Sequence, residues 1–333
     1  MSDYGVASSE LDDLVEAAEP NPLLRRVDAM CERRAWDQLV ELARRCREAV
    51  DRGKQLWPIA EHIDYRLALE APGPYAAGVL RPDAGRFALG PLTEVAASTH
   101  SFEELAAHLP LAQTIGVVAA ERVVRGEDLR DRPEAHPEVL ELPMVLEPWE
   151  PEYVVATYQA RGLEVPSPNL PPAAGLVTTS RADEAEDPEV TRALLDLVAG
   201  WVAGSNAHAE AVVVSGSVAG AIGALGFDAA RIAGLTPAEA VGWMGWAAAS
   251  GGAHGRWRGA AAGRSSAWWA AAIVCDLNWP PEPDALGEEI GRLRWHRWQR
   301  EGGEGGWELH LAVEDPSSGW SAAIAAEDRA APD

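Results

Sequence analysis

Between Asp131 and Glu189 the chain sets ten Pro and thirteen acidic residues against three Arg, a mixture that breaks long helices and repels itself. The apolar patterns on its two sides differ in kind. At about 100–200 residues per domain, a chain of 333 residues has room for two, each with its own core. The expected division is a helical domain over 1–165 ending in an acidic, Pro-rich wrap, a linker over 166–188, and an α+β domain over 189–330.

The front part reads as short helices punctuated by residues that start or stop them. Pro22 marks a first helical position, with Leu23, Leu24, Val27, Met30 and Cys31 on one face. Trp36, Leu39, Val40, Ala43, Arg47 and Val50 recur at three- and four-residue steps up to Gly53, which predicts a helix with one apolar stripe. Pro58 opens another helix, ended by Pro72-Gly73-Pro74, and Ser101 and Glu104 have the spacing of a capping box. Trp36-Asp37-Gln38-Leu39 and Phe102-Glu103-Glu104-Leu105 echo each other, but two echoes make no period. The front is therefore expected as an irregular array of helix pairs, with a solenoid-like stack as the alternative.

The back part alternates helical and strand signals. A helix is expected over 190–203, a short strand over Ala211–Val214, a small-residue helix to Leu225, and a helix opened by Thr236 and Pro237. A second apolar helix is expected over Ala267–Leu277, and Pro280, Pro281 and Pro283 then break the chain. Strands follow at Leu293–Gln299 and from Trp320, with a turn over Glu301–Gly306. Between them Trp307, Leu309, Leu311 and Val313 alternate with Glu308, His310, Ala312 and Glu314, which predicts a half-buried strand with His310 on the solvated face. The predicted fold class is α+β, a helical N-terminal domain followed by a domain that ends in an antiparallel meander.

Charge restricts the partners. The 52 Asp and Glu outweigh the 28 Lys and Arg, leaving −24, which opposes the phosphate backbone and argues against nucleic acid. Cys31, Cys46 and Cys275 are three, far apart and without C-x-x-C spacing, so reduced buried thiols are expected rather than disulfides or a zinc site. Met1–Glu19 has no basic then apolar run, no stretch reaches about 20 clean apolar residues, and a cytoplasmic, membrane-free chain is the expectation.

The best candidate site is the segment 250–266, where His254, Arg256, Arg258 and Arg264 gather among five Gly of an acidic chain. Gly lets backbone N–H groups approach a ligand, and Arg grips carboxylate or phosphate through two parallel hydrogen bonds. His254, Gly255, Arg256, Arg258, Arg264 and Ser265 are the expected ligand-binding set for a small anion. The competing expectation is structural, with the Gly residues packing helices and the Arg residues paired to internal acids. The segment is no P-loop, since Arg264 stands where Lys belongs and a helix precedes it. Val218 likewise spoils a dinucleotide fingerprint after Val214.

No metal spacing occurs among the eight His, no catalytic set is recognisable, and the sequence names no cofactor. Eleven of the fourteen Trp follow residue 200, as core filling or as a pocket wall. The expected function is thus a non-enzymatic interaction or regulatory protein that binds a protein partner. The alternative is an enzyme or sensor that takes a small anionic ligand at 250–266.

Overall fold

A computed structural model describes residues 11–82, 84–302 and 306–328, so the readings over Met1–Glu19 and Glu301–Gly306 fall partly outside the described residues. The chain is α+β. Its described residues group into two compact units, one falling within 1–122, 134–136 and 157–164, the other within 123–133, 137–156 and 165–333.

The N-terminal unit is helical, with α1 (Pro20–Glu32), α2 (Trp36–Asp51), α3 (Trp57–Glu70), α4 (Gly73–Gly78), α5 (Leu92–Thr99) and α6 (Phe102–Ala106), followed by α7 (Ala112–Val123). Proline opens α1 and α3 within the first turn, where a missing N–H costs nothing. The capping box at α6 is formed. Ser101 Oγ accepts from Glu104 N at 3.3 Å, and Glu104 Oε2 accepts from Ser101 N at 2.8 Å. On α2 the buried stripe is Leu39, Leu42, Ala43, Cys46 and Ala49, while Val40 is 43 % exposed. The stripe expected through Val40 is therefore rotated toward Cys46, because Leu42 and Cys46 complete the apolar face that Leu39 and Ala43 begin. A two-stranded hairpin, β1 (Thr157–Gln159) with β2 (Gly162–Glu164), belongs to the same unit, and Tyr65 Oη of α3 donates to Gln159 O at 2.5 Å.

The C-terminal unit is built on a six-stranded antiparallel sheet, β3 (Gly175–Thr178), β4 (His208–Ser215), β5 (Ala229–Leu235), β6 (Arg294–Arg300), β7 (Trp307–Asp315) and β8 (Trp320–Asp328), in the order β3-β5-β6-β7-β8-β4. The helices are α8 (Pro188–Asp196), α9 (Ala199–Gly204), α10 (Val218–Ala224), α11 (Pro237–Ala249), α12 (Ala260–Val274) and α13 (Pro283–Arg292). The expected meander is β6-β7-β8. Residues 166–188 carry the edge strand β3, which pairs with β5, and Ala185 N reaches Val213 O at 2.8 Å.

Several elements have no counterpart in the sequence reading, among them α4, α5, β1 to β3, β5 and α13. Pro283 does not break the chain but occupies the first turn of α13, and β5 is hidden by the small residues of Ala-Ala-Arg-Ile-Ala-Gly-Leu. His310 also departs from expectation. It is 1 % exposed and stacks on Trp298 at 4.2 Å and 10°, because β7 is a central strand buried on both faces. Alternation assigns a side, but a central strand need not have a wet one. On that side Val214, Ile222 of α10, Trp298, Ala312 and Ala323 share one core cluster.

Candidate functional site

The segment 250–266 leaves α11, makes a Gly-rich turn and enters α12, and its own contacts decide what each residue can do. Its backbone donors point inward. Gly252 N reaches Ser250 Oγ at 2.9 Å, Ala253 N reaches the carboxylate of Asp328 at 2.6 Å, and His254 N reaches Ser205 Oγ at 3.2 Å. One backbone donor of the turn thus meets a side-chain carboxyl group, that of the protein's own Asp328, 1 % exposed at the end of β8. A Cβ at Gly255 would sit 1.9 Å from Gly251 O, so these glycines are required by backbone against backbone.

Arg264 is consumed as well. Its side chain and that of Glu150 are both 0 % exposed, with Nε donating to Glu150 Oε2 at 2.8 Å and Nη2 to Oε1 at 2.7 Å. Nη1 and Nη2 also serve the carbonyls of Pro143 and Val145 at 2.9 and 2.8 Å. Glu150 accepts further bonds from Trp268 Nε1 at 2.8 Å, Tyr153 Oη at 2.7 Å and Glu147 N at 2.9 Å. Burial first, and the Glu150 carboxylate beside it, push the Tyr153 hydroxyl well above its ordinary pKa, so it stays a donor. The hub ties the Pro-rich strip 143–153 to α12. Close packing of the helices assists, since a Cβ at Gly263 would meet Gly245 O at 2.3 Å.

On another side of α12 lies an open cleft of about 510 Å³. Along a helix each residue turns about 100°, so Ser265 and Ser266, next in sequence to Arg264, swing away from the Glu150 hub and into this cleft with Trp269. Arg258, just before α12, lines it too, and its stem passes Gly200 of α9. Opposite stand Ala193 and Asp196 of α8, Leu197, and Val139, Leu140 and Glu141 of the Pro-rich strip. Trp279 closes one wall. Its ring meets that of Trp269 at 5.4 Å and 68°, and its Nε1 donates to Glu141 Oε2 at 2.6 Å.

What matters chemically is which polar groups remain unspent. Among the described residues no carboxylate pairs with the exposed Arg258 guanidinium, and the hydroxyls of Ser265 and Ser266 have no hydrogen-bond partner. Of the six residues expected at the site, Arg258 and Ser265 are brought together in the cleft. Arg264 faces the Glu150 hub, Gly255 packs on Gly251, and exposed His254 and Arg256 are outside the cleft lining. Sequence reasoning missed Glu141, Glu150 and Asp196. For Glu150 a signal existed, since Pro148 and Pro151 on either side stiffen the strip that carries it.

The thiols are not reactive groups. Burial pushes Cys31 and Cys46 up to about 11 and Cys275 up to about 12, so each is protonated and a poor nucleophile. Among the described residues no cluster of His, Cys, Asp and Glu could hold a metal ion, and no helix is long and apolar enough to cross a membrane.

Fold and site together define a two-unit α+β protein with an amphipathic cleft on its C-terminal unit. Residues 21–330 match the family of unknown function DUF6183, and the chain belongs to that family. No curated protein and no solved structure matches it.

Proposed function

We propose that this protein is a non-enzymatic regulatory protein whose C-terminal unit recognises a small molecule through an anionic group held by Arg258. One observation carries the reading: a guanidinium and two hydroxyls without partners among the described residues line the same cleft as two indole rings, whereas the neighbouring Arg264 is buried against Glu150. Guanidinium, hydroxyl and indole are groups that bind and orient a ligand, and they suit recognition better than proton transfer. The protonated thiols, two of them buried, suit a reducing, cytoplasmic setting. The net charge of −24 favours such a local cationic site over a nucleic-acid surface.

The test is a thermal-shift titration of the full chain with inorganic phosphate, simple carboxylates and nucleotides. A ligand that binds the folded state raises the melting temperature with concentration, and Arg258→Ala should remove that response while leaving the unliganded melting point nearly unchanged. A response retained in Arg258→Ala would place recognition elsewhere.

A further inference from the structure

The cleft that holds Arg258 also holds two carboxylates, and this fact says more about the ligand than the guanidinium alone. Asp196 and Arg258 line the same 510 Å³ space yet form no ion pair with each other. Among the described residues Asp196 pairs with Arg192 alone, at 3.8 Å across one helical turn, with side chains 54 % and 84 % exposed. Such a pair is weak and yields readily. Among the described residues the Glu141 carboxylate accepts from Trp279 Nε1 alone, and its backbone holds a left-handed φ of 53°. Between these charges run apolar surfaces, Leu140 and Leu197 with the Trp269 and Trp279 rings.

A purely anionic ligand seated here would satisfy Arg258 but bring its charge near Asp196 and Glu141. A purely cationic one would do the reverse. A molecule that carries both signs satisfies both sides at once and leaves no charge opposed to its like. We infer that the ligand is a zwitterion of the α-amino-acid class, with its carboxylate on Arg258, its ammonium toward Asp196, and an apolar or aromatic side chain against Trp269 and Trp279. This inference rests on the reading of Arg258 given above and adds the ammonium requirement to it. Ser265 and Ser266 supply donors or acceptors to whichever ligand oxygen lies over α12.

The experiment is calorimetric titration of the full chain with four probes. These are L-phenylalanine, its amide, which lacks the carboxylate, N-acetyl-L-phenylalanine, which lacks the ammonium, and phenylalanylglycine, which sets the two charges one residue further apart. Phenylalanine is expected to bind, and loss of either charge should weaken binding about ten- to hundredfold, the worth of a charge-assisted hydrogen bond. Asp196→Asn should weaken phenylalanine but not N-acetylphenylalanine, which has no ammonium to lose and is relieved of the opposing Asp196 charge, and Asp196 is exposed enough for the variant to fold. If N-acetylphenylalanine binds as tightly as phenylalanine and depends on Arg258, the anion site stands and the zwitterion inference falls. Tighter binding of phenylalanylglycine transfers the site to peptides and overturns the amino-acid assignment. If neither these probes nor phosphate, carboxylates or nucleotides bind through Arg258, the reading of the cleft itself fails.

Discussion

Arg258 and Arg264 are six residues apart in one segment, yet one is an exposed guanidinium with no carboxylate partner among the described residues and the other a fully buried pair with Glu150. The difference lies in what surrounds them. Arg264 enters a space where a Pro-rich strip offers two carbonyls and a carboxylate, and four hydrogen bonds engage four of its five N–H donors. Arg258 sits before the helix on a cleft rim whose acids stand off from it. A cluster of like residues in sequence is thus no unit of function, because its members fall on different elements, Arg258 ahead of α12 and Arg264 within it.

The sharpest break of this comparison is Arg264→Ala. Removing one partner of a buried pair leaves Glu150 charged and unmatched, so unfolding free energy should fall by about 3–5 kcal/mol in denaturant titrations. A change below about 1 kcal/mol would mean that the hub is not what holds strip 143–153 to α12. Leu39→Ala, at a 0 % exposed position of α2, provides the apolar counterpart, with an expected loss of about 2–5 kcal/mol by the same titration.

A smaller effect follows from pH. The His310 imidazole at 3.4 Å, and then Arg300, hold the Glu327 carboxyl below its ordinary value of 4.5, against burial. The folded state therefore binds this proton less readily than the unfolded state does. Its contribution is fully present above pH 4.5 and is lost as pH falls through the lowered value. Glu327→Gln should flatten the acid limb of the stability curve, and an unchanged acid limb would contradict the pairing.

Limited proteolysis probes the hub without mutation. Residues 165–174 form no regular element ahead of β3, so nicking is expected there. The Arg264–Glu150 bonds span that cut, and the two products should co-elute in native size exclusion. Products that separate without denaturant would show that the hub is too weak to hold the strip.

Much of the fold was legible because its signals are local. The capping box at Ser101, the helix start at Thr236 and the strand signals of β7 and β8 need only a few neighbouring residues to be read, and the structure forms these elements, although β7 is buried on both faces rather than on one. What was hidden depends on partners distant in sequence. His310 is buried because other elements cover β7, and Asp196 meets Arg258 in one cleft only because α8 lies near α12. Within the candidate site, Arg258 and Ser265 were visible as residue types, but nothing nearby in sequence distinguishes Arg258 from Arg264. The partner Glu150 lies 114 residues away.

The central claim is that the two arginines have opposite roles, and a single paired measurement tests it. Thermal melting of Arg258→Ala and Arg264→Ala should be recorded with and without the ligand that shifts the parent chain. The account predicts that Arg258→Ala melts like the parent without ligand and gains nothing from it, whereas Arg264→Ala melts far lower without ligand. A large unliganded loss in Arg258→Ala, or a parent-like unliganded melting point in Arg264→Ala, would contradict it.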